Sequence, residues 1–236
     1  MLRTTLFLLI TVALLAEACR QRADTTTTEP TEAATATSRQ PVDAGSFLII
    51  PGKRVGTITA TSTEASLMAR LGPAVVTHDT IYVAEGETTV GTTLFRGTPD
   101  QAEIIWKDTR TFSKPDAILL RPSYQSSGRS GKRSRWALEN GLKIGSTLRE
   151  VETINGRPFQ LYGFGWDMGG LVGDWQGGVL QPKGQLSLLS VRFSMDSATA
   201  NDQKLAEQVM GDRPFASSSP VMQTLNPTVS QVMVRL

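Results

Sequence analysis

A single cysteine, Cys19, stands in a chain of 236 residues, and this limits how the chain can be held together. With no second cysteine there is no intramolecular disulfide. There is also only one histidine, His78, whereas zinc sites draw on several His or Cys ligands. No cofactor or metal is therefore expected, and stability has to come from an apolar core. About 190 residues run from Phe47, where the body is expected to start, enough for one large domain or two small ones.

The position of Cys19 carries more information than its solitude. Arg3 opens the chain, and Leu6 to Leu15 form an apolar run broken only by Thr11. Ala16, Glu17 and Ala18 then lead into Cys19. The run is shorter than the roughly 20 residues that span a bilayer, so residues 1–18 read as a cleaved export signal. Leu-Leu-Ala-Glu-Ala-Cys resembles the lipobox of bacterial lipoproteins, in which the leader is cut before a cysteine that carries acyl chains. The resemblance implies lipid attachment, with palmitate among the chains, at Cys19. It also implies a place at the cell envelope, on the outer membrane facing the periplasm. Ala16 stands where leucine is usual, and Ala16-Glu17-Ala18 also meets the small-x-small rule of an ordinary secretory cut, so secretion remains the alternative. Loss of the leader removes Arg3 and Glu17, leaving 23 basic and 21 acidic residues. That small excess does not supply the concentrated basic face that nucleic acids require.

Residues 19–46 follow as a predicted tether. Residues 20–44 hold seven threonines, Pro30 and Pro41, with almost no large apolar side chain. Such a stretch cannot offset its chain entropy by burial. As a coil its 25 residues would span roughly 25–30 Å, and fully extended about 80–90 Å. The body is expected to be α+β, with short helices on antiparallel sheet, in two related units over residues 47–125 and 136–236. A basic Gly/Ser-rich linker, residues 126–135, separates them.

Strand patterns occur at Phe47–Ile50, Ile81–Val83, Thr92–Phe95, Glu103–Trp106, Ala117–Leu120, Leu186–Phe193 and Gln231–Leu236. The last alternates cleanly, with Val232, Val234 and Leu236 on one face. Three helices are predicted. The first runs about Thr63–Leu71 and is stopped by Gly72-Pro73. The second opens at Thr147 with Glu150 three residues on, a capping-box pattern, and stops at Gly156. The third covers about Asn201–Met210, with Leu205 and Val209 inward.

A shift of 84 positions aligns Ile58, Ala60, Ser62, Thr63, Leu67 and Gly72 with Leu142, Ile144, Ser146, Thr147, Val151 and Gly156. Each copy reads as strand, polar cap, helix and Gly/Pro stop, which suggests duplication of a unit of about 85–100 residues. Residues Val55–Ala74 and Gly141–Phe159 loosely resemble the motif Gly-x-x-x-apolar-x-x-x-Leu-Gly-x-Pro after a short strand in small periplasmic lipoproteins of the SmpA/OmlA type. Together with the tandem β-lactamase-inhibitor-protein family, that resemblance implies helices on one face of an antiparallel sheet. Binding rather than catalysis follows only by analogy.

No residue pattern specifies a reaction. Gly-x-Ser-x-Gly and His-Glu-x-x-His are absent, and His78 lies in a turn-like Thr-His-Asp-Thr stretch. No catalytic residue is assigned. Between Tyr162 and Gly178, seven glycines interleave with Tyr162, Phe164, Trp166 and Trp175. This is either a ligand platform or a bulged hairpin whose aromatics fill core, and the core reading is preferred, above all for Trp175. Arg129, Lys132, Arg133 and Arg135 are candidate contacts for an anionic surface or simply a solvated linker. The leading function is a non-enzymatic binding or scaffolding lipoprotein, anchored to membrane and meeting another envelope protein or a cell-wall component. The alternative is a small envelope hydrolase acting on glycan or peptide through carboxylates such as Asp167 and Asp174.

Overall fold

Short apolar segments separated by glycine and proline turns give thirteen strands and four helices among the described residues. The computed structural model describes residues 47–84, 86–122, 134–183, 188–195 and 200–236. The leader, Cys19, the predicted tether, Arg129, Lys132 and Arg133 lie outside them.

β1 (Leu48–Ile50), β2 (Arg54–Val55) and β3 (Ile58–Thr59) form a small antiparallel meander, joined in parallel by β8 (Ala137–Leu138). After α1 (Glu64–Leu71) come β4 (Val76–Ala84), β5 (Glu87–Leu94), β6 (Ala102–Asp108) and β7 (Ser113–Leu120), each antiparallel to the next. The second half runs α2 (Leu148–Asn155), β9 (Gln160–Tyr162), β10 (Val172–Asp174), β11 (Leu189–Ser194), α3 (Ala200–Glu207), β12 (Pro214–Ala216), α4 (Pro220–Leu225) and β13 (Thr228–Arg235). β13 lies between β11 and β7, giving a six-stranded sheet ordered β11-β13-β7-β6-β5-β4. β10-β9-β12 is a third sheet, tied to β11 by a bridge between Leu171 and Arg192. The fold is thus mixed α+β with mostly antiparallel sheet, as expected.

The core follows from alternation. Val232 and Val234 are fully buried, as are Ile118 and Leu120 opposite them on β7. Leu67 of α1 and Val151 of α2 enter the same apolar cluster, which therefore runs through both halves of the body. Among the tryptophans, Trp106, Trp136 and Trp175 are buried and Trp166 is exposed.

Both predicted caps form. Thr147 accepts from the Glu150 amide while the Glu150 carboxylate takes the Thr147 amide, and Gly156 ends α2 in the left-handed region. At α1 the short hydroxyl of Ser66 fills the role of that glutamate toward Thr63. α3 ends earlier than expected. Its buried residue is Ala206, Leu205 is only half-buried, and Val209 reaches the core from the closing turn. The Thr-His-Asp-Thr stretch is strand rather than turn: β-branched Thr77 and Thr80 suit a pleated ladder, and His78 sits opposite Thr92 in β4.

The two helix entries agree bond for bond. The Thr59 amide donates to the Ser62 hydroxyl at 2.9 Å, and 84 positions on the Lys143 amide donates to Ser146 at 3.2 Å. Ser62 and Ser146 return their amides to the carbonyls of Thr59 and Lys143, both at 3.0 Å. Thr63 bridges the first residue of β7, Ser113, and Thr147 bridges the first residue of β13, Thr228. The next amides follow suit, Glu64 to the Phe112 carbonyl and Leu148 to that of Pro227.

Candidate functional site

The glycine–aromatic stretch is a bulged hairpin of β9 and β10 with a long loop, and the fold divides its aromatics between core and cleft. Trp175 packs on Phe159 with ring centres 5.1 Å apart, and Asn155 secures the chain around it. The Asn155 amide, 1% exposed, donates to the carbonyls of Trp175 and Arg157 and accepts the Leu180 amide at 3.1 Å. A Cβ on Gly178 would lie 2.2 Å from the Asn155 side chain, so only glycine fits there. Tyr162 is half-buried and meets the Trp166 ring edge-on at 5.7 Å.

The other end of the loop forms a cleft. Phe164 exchanges backbone bonds with the chain leaving α3: its amide goes to the Val209 carbonyl, and its own carbonyl accepts from Gly211. Gly170 meets β11 through the Phe193 amide, at 2.9 Å. Its φ is +73°, and a Cβ there would sit 2.1 Å from the Phe193 carbonyl oxygen. These ties hold the loop, β11 and α3 around a cavity of about 860 Å³, within the range of small-molecule sites. Phe164, Trp166, Met195, Ala206 and Met210 give it an apolar lining. Trp166 is 38% and Met210 45% exposed, although both are large apolar side chains. The Trp166 indole N–H donates to the Gly163 carbonyl, so the ring presents its apolar surface outward.

One cation enters this lining. Arg192 of β11 is half-buried, and its Nε is buried with no hydrogen-bond partner. Burial pushes the guanidinium below its ordinary pKa range, with Arg121 adding to the effect and Asp167 and Tyr82 opposing it. Glu207, Ser194, Gln203 and Ser230 complete the polar part of the wall.

Elsewhere the buried carboxylates are engaged. Glu103 and Asp100, both buried, are ion-paired with Arg121 at 2.5 Å and Arg135 at 2.7 Å. Asp79 takes the Thr93 hydroxyl and Arg96. Asp174 caps its own turn by accepting from the Gln176 amide and side chain, and Asp167 is exposed near Arg192. His78 Nδ1 lies 3.3 Å from Glu64, whose carboxylate also accepts the Thr92 hydroxyl, so that hydroxyl is directed away from the ring. Arg135 stacks over Phe47 at 3.7 Å while held by Asp100, so its charge is already paired. Among the described residues no group of three His, Cys, Asp or Glu is placed to hold a metal ion, and no helix is long and apolar enough to cross a membrane.

Of the four aromatics singled out in the sequence, the fold brings Phe164 and Trp166 to the cleft. Arg192, Met195 and Met210 were not anticipated. Strand alternation was the only available signal for Arg192, since it lies between inward Val191 and Phe193. No protein-family model matches the chain, and no curated protein or solved structure matches it at a significant level.

Proposed function

We propose that this is a non-enzymatic binding protein of the bacterial cell envelope, held at a membrane through lipid on Cys19, whose body takes up an apolar ligand in the Trp166 cleft. The observation that carries the reading is the cleft itself. An exposed tryptophan and an exposed methionine face a built cavity whose loop is pinned on two sides. Aromatic and thioether side chains left open to water in this way are a cost that bound ligand removes. Against the hydrolase alternative stands the pairing of buried Asp100 and Glu103 with arginines and the use of Asp174 as a turn cap.

The body is further proposed to be two copies of one unit, a helix followed by four strands. Moved on 84 positions, β4, β5 and β6 overlap β9, β10 and β11, and the matched cap bonds support the alignment. From Ser113 to Thr228 the step is 115, because about 31 extra residues carry α3, β12 and α4. The pairing of β7 with β13 is then self-complementary. Ala117 pairs with Arg235 and Leu120 with Val232, so each copy offers the other the same two positions, as across a two-fold axis.

The binding reading is tested with Nile red, a neutral apolar dye, on the full chain carrying Cys19→Ala and purified without detergent. Its fluorescence should rise on binding, and Trp166→Ala should weaken binding about tenfold while lowering the melting temperature by only about 2–4 °C. A chain that leaves the dye dark, or binds it equally after Trp166→Ala, removes the support for this site.

A further inference from the structure

We propose that Arg192 makes the cleft selective for a monoanionic amphiphile of the fatty-acid class, its carboxylate on the guanidinium and its tail along Phe164, Trp166, Met195 and Met210. This rests on the reading of the cleft as a ligand site and adds the ligand's chemistry.

Buried polar groups are nearly always hydrogen-bonded, and each exception calls for an explanation. Arg192 Nε is the one buried side-chain nitrogen or oxygen without a partner among the described residues. Every other strongly engaged arginine of the body has an acceptor: Arg121 has Glu103, Arg135 has Asp100 and Arg235 has Asp116. Arg192 has none within ion-pair distance among the described residues, yet it lines the apolar cleft. Among the described residues its terminal guanidinium nitrogens carry no ion pair either, and such a fork suits a planar carboxylate, which takes two parallel N–H donors.

The local charge selects further. Asp167 is near enough to act electrostatically on Arg192, and Glu207 stands on the same cavity wall. With only one cation beside two carboxylates, a second negative charge on the ligand meets added repulsion, so a monoanion is favoured over a phosphate dianion. The rest of the lining favours an apolar tail, and the methionines can adjust to tails of different shape.

The test compares dodecanoate with dodecanol, below micellar concentrations, by titration calorimetry on the full chain carrying Cys19→Ala. Dodecanoate should bind about tenfold more tightly than the alcohol, the effect of one charge-assisted contact. Arg192→Gln should bring the two to within about twofold while keeping the melting temperature, since it removes a desolvated charge. Dodecyl phosphate should bind more weakly than dodecanoate. If acid and alcohol bind equally to the unsubstituted cleft, or Arg192→Gln keeps the preference, the role of Arg192 is wrong and the cleft still stands as an apolar site. If neither ligand binds and Nile red also fails, the cleft reading falls with it. Met210→Glu is the second variant. It places a negative charge on an exposed wall residue and should cut dodecanoate binding at least tenfold, and unchanged binding would again overturn the proposal.

Discussion

Burial separates residues that the sequence treats alike. Trp166 and Trp175 stand nine positions apart in one glycine-rich stretch, yet one is 38% and the other 5% exposed. Trp175→Ala should therefore cost about 3–5 kcal/mol and Trp166→Ala only about 1 kcal/mol. Urea denaturation of the two variants checks this, and equal losses would mean that the two rings share one environment. Asn155 offers a polar counterpart. Its side chain satisfies two carbonyls and one amide in the interior, and each buried group left unpaired costs about 1–3 kcal/mol. Asn155→Ala should thus lose about 3 kcal/mol, and a loss below about 1 kcal/mol would show that water replaces the amide. Trp175 as core was legible from its place beside Gly177 and Gly178. The stapling role of Asn155 was not, because two of its three partners, Trp175 and Leu180, lie 20 and 25 positions away.

Helix entries were the most readable elements, since a cap is made by residues three apart in the chain. Thr147 with Glu150 announced α2, and the observed helix starts one residue later. Thr147→Ala should lower stability by about 1 kcal/mol, with Thr63→Ala similar because Ser66 completes the same box. Thermal unfolding of the pair checks both, and indifference to either would mean that the neighbouring strand bridge, not the cap, holds that entry. α4 was overlooked although Ser219 caps it and Pro220 occupies its first turn. At six residues it offers too short an apolar period to register. The seven strand patterns fall on β1, β4, β5, β6, β7, β11 and β13. Of these, β4 and β5 were drawn short because their threonine-rich ends pair well beyond the apolar centres, while two- and three-residue strands such as β2, β8 and β12 were missed.

At the scale of the molecule, one sheet joins the two halves through β7 and β13, and one core lies beneath them. Unfolding should then be a single cooperative transition, with far-ultraviolet circular dichroism and tryptophan fluorescence superimposing in urea. Two separated transitions would mean that the halves are stable alone. The proposed duplication predicts that an experimental structure superposes α1 on α2 at a step of 84 and β7 on β13 at a step of 115. An unrelated path for either pair would end that reading. Lipid attachment is tested in cells: Cys19→Ala should release the chain from the membrane fraction and abolish palmitate labelling. Unchanged membrane association would leave the anchor unsupported.

Local chemistry was decided along the chain. One cysteine meant a fold without disulfides, alternation named the buried face of β13, and Thr147 with Glu150 marked a helix start. These depend on residues two to four apart, whose meeting the backbone geometry alone ensures. The cleft belongs to the tertiary structure. Phe164, Arg192 and Met210 come from a hairpin loop, a strand and the chain leaving a helix, and they meet only because Phe164 bonds to Val209 and Gly170 to Phe193. No period in the sequence encodes such a meeting, because it is set by which backbones pair, and that choice rests on burial summed over the whole core.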